Sequence, residues 1–230
     1  MNVSKLESNL EDVRRRMAAA CARAGREPSE VRLVAVTKTV TADAARALVG
    51  LGVQNLAENR VQEAARKQES LADLDICWHM IGHLQTNKAR DAVRMFDLIH
   101  SVDSERLAAA LDRRAPEGHK IPALVQVNVS GEESKFGVSA TVAIDELRRI
   151  ADFPAIRVQG LMTMAPFVDD AEQVRPLFVR LRRLAAEVTT LGMPRVEMKH
   201  LSMGMTQDFE VAIEEGATLV RIGTALFHGV

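Results

Sequence analysis

The sequence predicts a single-domain (β/α)8 TIM barrel of the α/β class, with an extra N-terminal helix. Eight short segments rich in Val, Ile, Leu and Ala alternate with helix-sized segments along the chain. These short segments are apolar on both faces, which is typical of parallel strands buried between a barrel interior and its surrounding helices. The 230 residues contain no linker or low-complexity stretch, so we expect one domain over residues 1–230. The turn after the first predicted strand is not a GxGxxG turn, which is the pattern typical of an open, doubly wound sheet.

The N-terminal helix is indicated by apolar residues spaced three and four apart between Ser4 and Gly25. The predicted strands cover residues 32–38, 53–59, 76–81, 98–102, 123–129, 156–162, 198–201 and 219–222. The helices between them cover residues 41–49, 61–71, 87–95, 104–114, 141–151, 171–191 and 207–215, and capping residues, Gly or Pro mark most of their ends. Residues 130–137 are too charged for a strand, so we predict a polar loop there.

The charge balance argues against nucleic acid or an anionic membrane as a partner, because 30 Lys and Arg residues offset 31 Asp and Glu residues. No apolar run approaches the roughly 18 residues of a membrane span, and residues 1–26 are not signal-like. We therefore expect a cytoplasmic protein. Cys21 and Cys77 form no CxxC motif, so free thiols are expected rather than a disulfide or a metal site.

Lys38 is the residue that most needs an explanation, because it ends the first predicted strand. A buried ammonium group is costly unless it is paired, its pKa falls, or a carbonyl compound captures the amine as a Schiff base. The simpler alternative is a strand-end lysine that reaches solvent or a carboxylate. Lys199 is the only other lysine within a predicted strand, and it is the second candidate for a Schiff base.

The loops after the last two predicted strands have the features of a phosphate site. Ser202 and Gly204 follow the seventh strand, and Gly223 and Thr224 follow the eighth. Barrels often bind phosphate there, because glycine lets the backbone approach an anion and a short helical turn directs N–H groups toward it. Taken alone, the glycines are equally consistent with simple turns. A phosphate site facing an amine suggests a phosphorylated aldehyde, and pyridoxal 5'-phosphate (PLP) has both groups.

Seven sequence blocks carry a resemblance to a known family. The blocks are AVTKT at 35–39, ENRVQE at 58–63, WHMIGHLQTNK at 78–88, VNV at 127–129, GLM at 160–162, HLSMGM at 200–205 and VRIGT at 220–224. In this order and combination they resemble the pyridoxal phosphate homeostasis protein family, whose members are alanine-racemase-like barrels without the second domain. The chain departs from the family pattern at Ala57, where glycine is common; the extra methyl would tighten the pocket wall without removing a functional group.

The resemblance implies a role for each candidate site residue. Lys38 would hold PLP as a Schiff base, Arg221 would lie beside the pyridine nitrogen, and Asn59 would lie near the polar edge of the ring. The phosphate would be bound by Ser202, Gly223 and Thr224. The protein would buffer and deliver PLP, maintain vitamin B6 and amino-acid pools without strong turnover, and have PLP-dependent apo-enzymes as transient clients. A monomer is expected rather than a dimer, because the second domain of related racemases helps to build their dimer.

The residues also bear on whether the protein is an enzyme. Arg221 alternates with Ile222 and shares a strand face with Gly223, so it points into the barrel mouth if Gly223 does. A protonated arginine there would leave the pyridine nitrogen unprotonated and weaken PLP as an electron sink. Related racemases use a tyrosine as their second base, and this sequence contains no tyrosine. His83 and His200 are the possible replacements, although such histidines more often make structural hydrogen bonds.

Two other functions are compatible with the sequence. One is a PLP-dependent amino-acid racemase or lyase of the alanine racemase fold. The other is a sugar-phosphate isomerase or aldolase that uses Lys38 as a base or Schiff-base former. No metal site is predicted, because the i, i+4 spacing of His79 and His83 suits a metal only on a helix, and the pattern there is that of a strand.

Overall fold

The computed structural model describes residues 2–132 and 136–230, which form a closed barrel of parallel strands surrounded by helices. These residues contain nine strands, and all of them except the two-residue β6 form a ring that closes between β4 and β5. The ring strands are β1 (Arg32–Val36), β2 (Asn55–Glu58), β3 (Cys77–Met80), β4 (Leu98–Val102), β5 (Ile121–Asn128), β7 (Ile156–Met162), β8 (Val196–Ser202) and β9 (Leu219–Ile222). The predicted barrel of eight strands is thus confirmed.

The helices lie on the outside of this ring, mostly between consecutive strands. They are α1 (Val3–Arg23), α2 (Ala42–Gly50), α3 (Val61–Ser70), α4 (Ala89–Met95), α5 (Glu105–Asp112), α6 (Ala143–Ala151), α7 (Arg175–Leu191), α8 (Phe209–Glu214) and α9 (Thr224–Phe227). Thr41 and Ser104 cap α2 and α5 by accepting backbone N–H groups. Among the described residues, no helix has the length and apolarity that crossing a membrane requires.

The first strand ends earlier than predicted, at Val36 rather than at Lys38. The N–H of Thr37 still donates to the carbonyl of Ala57, at 3.0 Å, but the N–H of Val40 donates back to the carbonyl of Thr37 at 3.1 Å. This bond closes a turn over residues 37–40, so Lys38 lies on a turn above the end of β1.

The predicted polar loop over residues 130–137 is only partly described. Residues 133–135 lie outside the described part of the chain. After Gly137, the short strand β6 (Val138–Ser139) continues alongside the end of β5, pairing Val127 with Val138. This strand was not predicted, because two residues are too few for an apolar alternation to be recognised.

The barrel interior contains a small apolar cluster, and its members identify the side chains of each strand that point inward. It consists of Val34, Val36, Ala57, Leu98, Leu124, Met162 and Leu219. The intervening residues of β1 and β9, such as Ala35 and Val220, belong to the larger core between the strands and the helices. Because side chains alternate along a strand, Arg221 lies on the interior face with Leu219, and Val36, the last residue of β1, also faces the interior.

Helix α1 covers the side of the barrel where the chain begins and ends. Its apolar face (Leu6, Leu10, Val13, Met17, Ala20 and Cys21) is buried, and it packs mainly against α8 and α9. The side chain of Asn9 donates to the carbonyls of Leu226 and His228, at 2.9 and 3.0 Å. Because α9 has only four residues, α1 supplies the helix cover that α9 is too short to provide.

Candidate functional site

A cavity of about 610 Å³ opens at the carboxyl ends of the strands and contains most of the predicted site residues. Lys38, Asn59, Arg221, Gly223 and Thr224 all line it. They come from the ends of β1, β2 and β9, which are neighbours in the ring. Five of the six residues predicted to bind the cofactor therefore meet in one cavity of ligand size.

Lys38 is an exposed residue that lines this cavity. Among the described residues it forms no hydrogen bond and no ion pair, so it is available to a carbonyl compound. The backbone just before it is firmly held. The hydroxyl of Thr37 donates to Glu58 Oε1 at 2.6 Å, and the ammonium of Lys67 donates to the carbonyl of Thr37.

Lys67 and Glu58 form a buried ion pair behind the cavity, at 2.5 Å. Glu58 is fully buried and Lys67 is 7% exposed. The second carboxylate oxygen, Glu58 Oε2, is buried without a hydrogen-bond partner in the described chain. The pair ties α3 to the ends of β1 and β2, and it fixes the peptide that precedes Lys38. Removing either partner would leave an uncompensated buried charge, so each of the two charged side chains depends on the other.

Arg221 is buried at the floor of the cavity and is held by uncharged groups. Its Nη1 donates to the hydroxyl of Ser202 at 2.6 Å, and its Nη2 donates to the carbonyl of Thr163 at 2.8 Å. No described carboxylate forms an ion pair with it. Burial lowers the pKa of Arg221 to about 10, although the nearby Asp208 acts in the opposite direction. The guanidinium therefore remains charged at neutral pH.

Ser202 occupies a different position from the other five predicted residues. It is fully buried and is not among the described residues that line the cavity. Besides accepting from Arg221, its hydroxyl is hydrogen-bonded to His100 Nδ1 at 2.9 Å. Its predicted contact with a phosphate stays a prediction.

Two buried histidines extend this contact across the barrel. His100 Nε2 lies 2.8 Å from His79 Nδ1, and His79 Nε2 lies 3.1 Å from Asn55 Oδ1. Burial is the main cause that lowers the pKa of His79 to about 3, and it holds the pKa of His100 well below its usual value. Both rings are therefore neutral near pH 7.

The loops after β8 and β9 offer backbone N–H groups to an anion. The N–H groups of Thr206, Gln207 and Thr224 have no hydrogen-bond partner within the described residues. Gly223 packs closely on β1, since a Cβ at this position would lie 3.2 Å from the carbonyl oxygen of Val36. Asp208 Oδ1 accepts the N–H of Met205 at 2.6 Å, which fixes the turn. This arrangement can hold a phosphate through its backbone.

The outer rim of the cavity is apolar and aromatic. Phe136 and Phe167 are 57% and 77% exposed, and Met164 is also exposed. The ring of His83 stacks on Phe136, with centroids 4.0 Å apart, and His83 Nδ1 lies 3.1 Å from Asp103 Oδ2. Among the described residues that line the cavity, His83 is the one histidine.

The remaining candidates lie elsewhere. Lys199 is exposed, forms an ion pair with Glu197 and is not among the described residues that line the cavity. His200 is half-buried below the cavity, and its Nδ1 lies 3.4 Å from the hydroxyl of Thr218. Within residues 2–132 and 136–230, no group of three or more His, Cys, Asp or Glu side chains could hold a metal ion. Ala57 lies in the interior cluster and not among the described lining residues.

Sequence reasoning missed the residues that support the site. Lys67 was assigned to a polar helix, yet its spacing from Val61 and Ala64 places it on the buried face of α3. His79 and His100 share the interior face of adjacent strands, a relation that alternation along each strand could have indicated. The stacking of Phe136 on His83 had no such signal, because it joins a loop to a different strand end.

Comparison with known proteins assigns the class of this barrel. Residues 2–229 match the family model "Alanine racemase, N-terminal domain". The fold and the lysine-containing mouth thus define an alanine-racemase-type barrel domain.

Close relatives give the family. A pyridoxal phosphate homeostasis protein from Aquifex aeolicus (strain VF5) is 44% identical over 219 residues, covering 95% of each chain. PipY of Synechococcus elongatus PCC7942, solved with PLP bound, is 40% identical with a TM-score of 0.81, covering 94% of this chain and 99% of PipY. A structure from Bifidobacterium adolescentis, described as an unknown protein, is 39% identical with a TM-score of 0.93, covering 98% of this chain and 95% of that one. The chain belongs to the pyridoxal phosphate homeostasis protein family.

Proposed function

We propose that this protein binds pyridoxal 5'-phosphate as a Schiff base on Lys38 and acts as a carrier that buffers and delivers it. The single observation behind this proposal is that an unpaired lysine amine, a buried arginine and an anion-binding turn line one cavity of about 610 Å³. The PLP bound to PipY and the names of the curated relatives support the same cofactor.

The residues present fit PLP. The amine of Lys38 suits the aldehyde, and the N–H groups around Gly223 and Thr224 suit the phosphate. Gly82 leaves room beside Asn59, because a Cβ at position 82 would lie 2.1 Å from the carbonyl oxygen of Asn59. The buried charge of Arg221 lacks a carboxylate partner in the described chain, and a ring nitrogen lone pair can accept from its remaining N–H groups.

Bound PLP supplies an aldehyde for amine exchange and a ring that can withdraw electrons. Arg221 determines how strongly the ring withdraws electrons. A guanidinium donates protons and does not accept them, so it keeps the ring nitrogen unprotonated and lowers electron withdrawal. This arrangement favours holding and exchanging the cofactor over breaking bonds at the α-carbon of an amino acid.

A PLP-dependent racemase or lyase is the second candidate function, because His83 lies in the cavity and is oriented by Asp103. Such a pair can act as an acid and base. The two functions are separated by exchange of α-protons for deuterium in a panel of amino acids. The carrier function predicts no exchange beyond that of free PLP, and sustained exchange would establish an enzyme.

The site assignment is tested by borohydride reduction of the PLP-loaded protein and peptide mass mapping. We expect an absorption band of a lysine Schiff base and a label on the peptide that contains Lys38. Lys38→Ala should lose both, whereas Lys199→Ala should keep both, because Lys199 is exposed outside the cavity. A label on Lys199, or no label in the wild type, would overturn the assignment. A protein without this band would favour a sugar-phosphate enzyme instead.

The proposal extends to partners and location. PLP-dependent apo-enzymes would be transient clients, reached by transfer from Lys38, and delivery would occur in the cytoplasm by a monomer. Mixing the loaded carrier with an apo-enzyme, and comparing its reactivation with that by an equal concentration of free PLP, tests the delivery step.

A further inference from the structure

The hydrogen bonds behind Arg221 have directions that can be worked out from the chemistry of each group. An arginine N–H only donates, so Ser202 Oγ accepts from Arg221 Nη1. The serine has one hydrogen of its own, and His100 Nδ1 is the acceptor within reach among the described residues. Because buried hydroxyl hydrogens are nearly always used, Ser202 donates to His100 Nδ1.

The rest of the chain of hydrogen bonds follows from this first direction. A neutral His100 that accepts at Nδ1 carries its proton on Nε2, which then donates to His79 Nδ1 at 2.8 Å. His79 is neutral for the same reason, so its Nε2 proton faces Asn55 Oδ1 at 3.1 Å. In each of these four contacts one atom donates and the other accepts. The direction of donation is the same throughout, from Arg221 toward Asn55. A proton added to His100 would remove the acceptor that Ser202 uses.

We propose that Ser202, His100 and His79 form a neutral hydrogen-bonded relay that orients the Arg221 guanidinium toward the cavity, and that Ser202 is a positioning residue for Arg221 rather than a ligand of the phosphate. The hydroxyl of Ser202 supports this role, because its hydrogen and one lone pair are already used and a phosphate oxygen needs a donor. The burial of Ser202 beneath the cavity agrees with it. The inference rests on the proposed function, since Arg221 faces a pyridine ring only if PLP binds here.

The first test needs no cofactor. Long-range 15N–1H NMR spectra of the free protein report the tautomer and charge of each histidine. We expect His79 and His100 to carry their proton on Nε2 and to stay neutral between pH 5 and 8. A proton on His100 Nδ1, or titration of His100 near pH 6.5, would overturn the relay.

The second test compares PLP with pyridoxal, which lacks the phosphate. Loss of a hydrogen bond to a charged group weakens binding by roughly tenfold or more. Ser202→Ala should therefore weaken both compounds by a similar factor of about tenfold, because Arg221 acts on the ring they share. Thr224→Val, the matched control on the phosphate side, should weaken PLP much more than pyridoxal.

The outcomes of the second test separate the two proposals. If Ser202→Ala weakens PLP and leaves pyridoxal unchanged, Ser202 is a phosphate ligand and this inference fails while the proposed function stands. If Ser202→Ala changes neither compound, the positioning role fails. If the wild type binds neither, the proposed function fails, and the positioning role fails with it.

Two variants at His100 show whether a loss of affinity comes from the broken relay or from a loss of folding. In His100→Gln the amide can accept from Ser202 and donate to His79, so we expect affinities near those of the wild type. His100→Leu offers neither group, and it should reproduce the loss seen with Ser202→Ala. Thermal melting of the free variants identifies those that are folded. Equal affinities in folded Gln and Leu variants would contradict the relay.

Discussion

Arg221 carries a permanent charge but forms no ion pair with any residue of the described chain. It is 3% exposed, and its acceptors in the described chain are a hydroxyl and a backbone carbonyl. Burial lowers the pKa of Arg221 only to about 10, so the charge remains through the physiological range. A buried cation without a carboxylate partner is expensive, and an electron-rich ring nitrogen above it would recover part of that cost.

Gly82 is the residue where the smallest change should disturb the site. A methyl group at Gly82 would lie 2.1 Å from the carbonyl oxygen of Asn59, which is far inside van der Waals contact. We expect Gly82→Ala to displace Asn59, to destabilise the protein by about 1–3 kcal/mol, and to weaken PLP binding. Urea denaturation and absorbance titration measure the two effects.

The matched control for this change is Gly50→Ala. Gly50 is the last residue of α2, and a Cβ there would meet no atom within 4 Å. We expect this variant to keep both its stability and its affinity for PLP. Wild-type affinity in Gly82→Ala would show that Asn59 is not part of the site.

At the scale of elements, α3 determines where the end of β1 lies. Lys67 on α3 reaches both Glu58 at the end of β2 and the carbonyl of Thr37. The helix therefore holds the turn that carries Lys38 through a single buried ammonium group. Such a connection is rigid, because the attraction between buried charges is screened little by solvent.

Lys67→Met should show how much depends on this connection. Removing the ammonium leaves the Glu58 carboxylate buried and uncompensated, so we expect a loss of about 3–5 kcal/mol in the free energy of unfolding, together with slower labelling of Lys38 by PLP. Urea denaturation and borohydride trapping measure these changes. The double variant Glu58→Gln with Lys67→Met should recover part of the stability.

The exposed pair of Lys199 and Glu197 provides the comparison. Lys199→Met breaks an ion pair whose side chains are 59% and 60% exposed, and such pairs contribute less than about 1 kcal/mol. A similarly small effect of Lys67→Met would mean that Glu58 takes up a proton when its partner is lost and that the pair does not hold the turn.

The sequence was informative about elements and less so about contacts between them. The near-continuous apolar runs located every strand of the ring, because burial on both faces dictates composition. Alternation along the last strand also indicated that Arg221 shares a face with Gly223. The relay behind Arg221 joins β2, β3, β4 and β8, and which side chains meet there depends on the register between strands, which no single segment encodes. The end of β1 was misplaced for a local reason, since the N–H of Val40 donates to the carbonyl of Thr37 and closes a turn there.

At the scale of the whole molecule, the buried histidines make stability depend on pH. Burial lowers the pKa values of His79 and His100, the former to about 3, whereas an unfolded chain has histidine pKa values near 6.5. Below about pH 6.5 the unfolded chain therefore binds protons that the folded chain does not, and stability falls as the pH falls. Above that pH the contribution is fully present. We expect each histidine to contribute about 1.4 kcal/mol per pH unit.

Urea denaturation between pH 5 and 7.5 measures this slope, since most carboxylates stay ionised there. His100→Gln removes one of the two groups and should reduce the slope, whereas His119→Gln changes an exposed histidine and should leave it unaltered. A slope that is the same in all three proteins would show that His100 does not resist protonation.

The ring order places β1 beside β9, so Lys38, just after β1, and Arg221, on β9, meet only when both strands have joined the barrel. A nascent chain whose β9 is still inside the exit tunnel of the ribosome has Lys38 outside the tunnel, but Arg221 and the turn at Gly223 and Thr224 are not yet in place. Under the proposed function, a nascent chain that has not yet placed β9 beside β1 would therefore hold PLP less firmly than the closed barrel does.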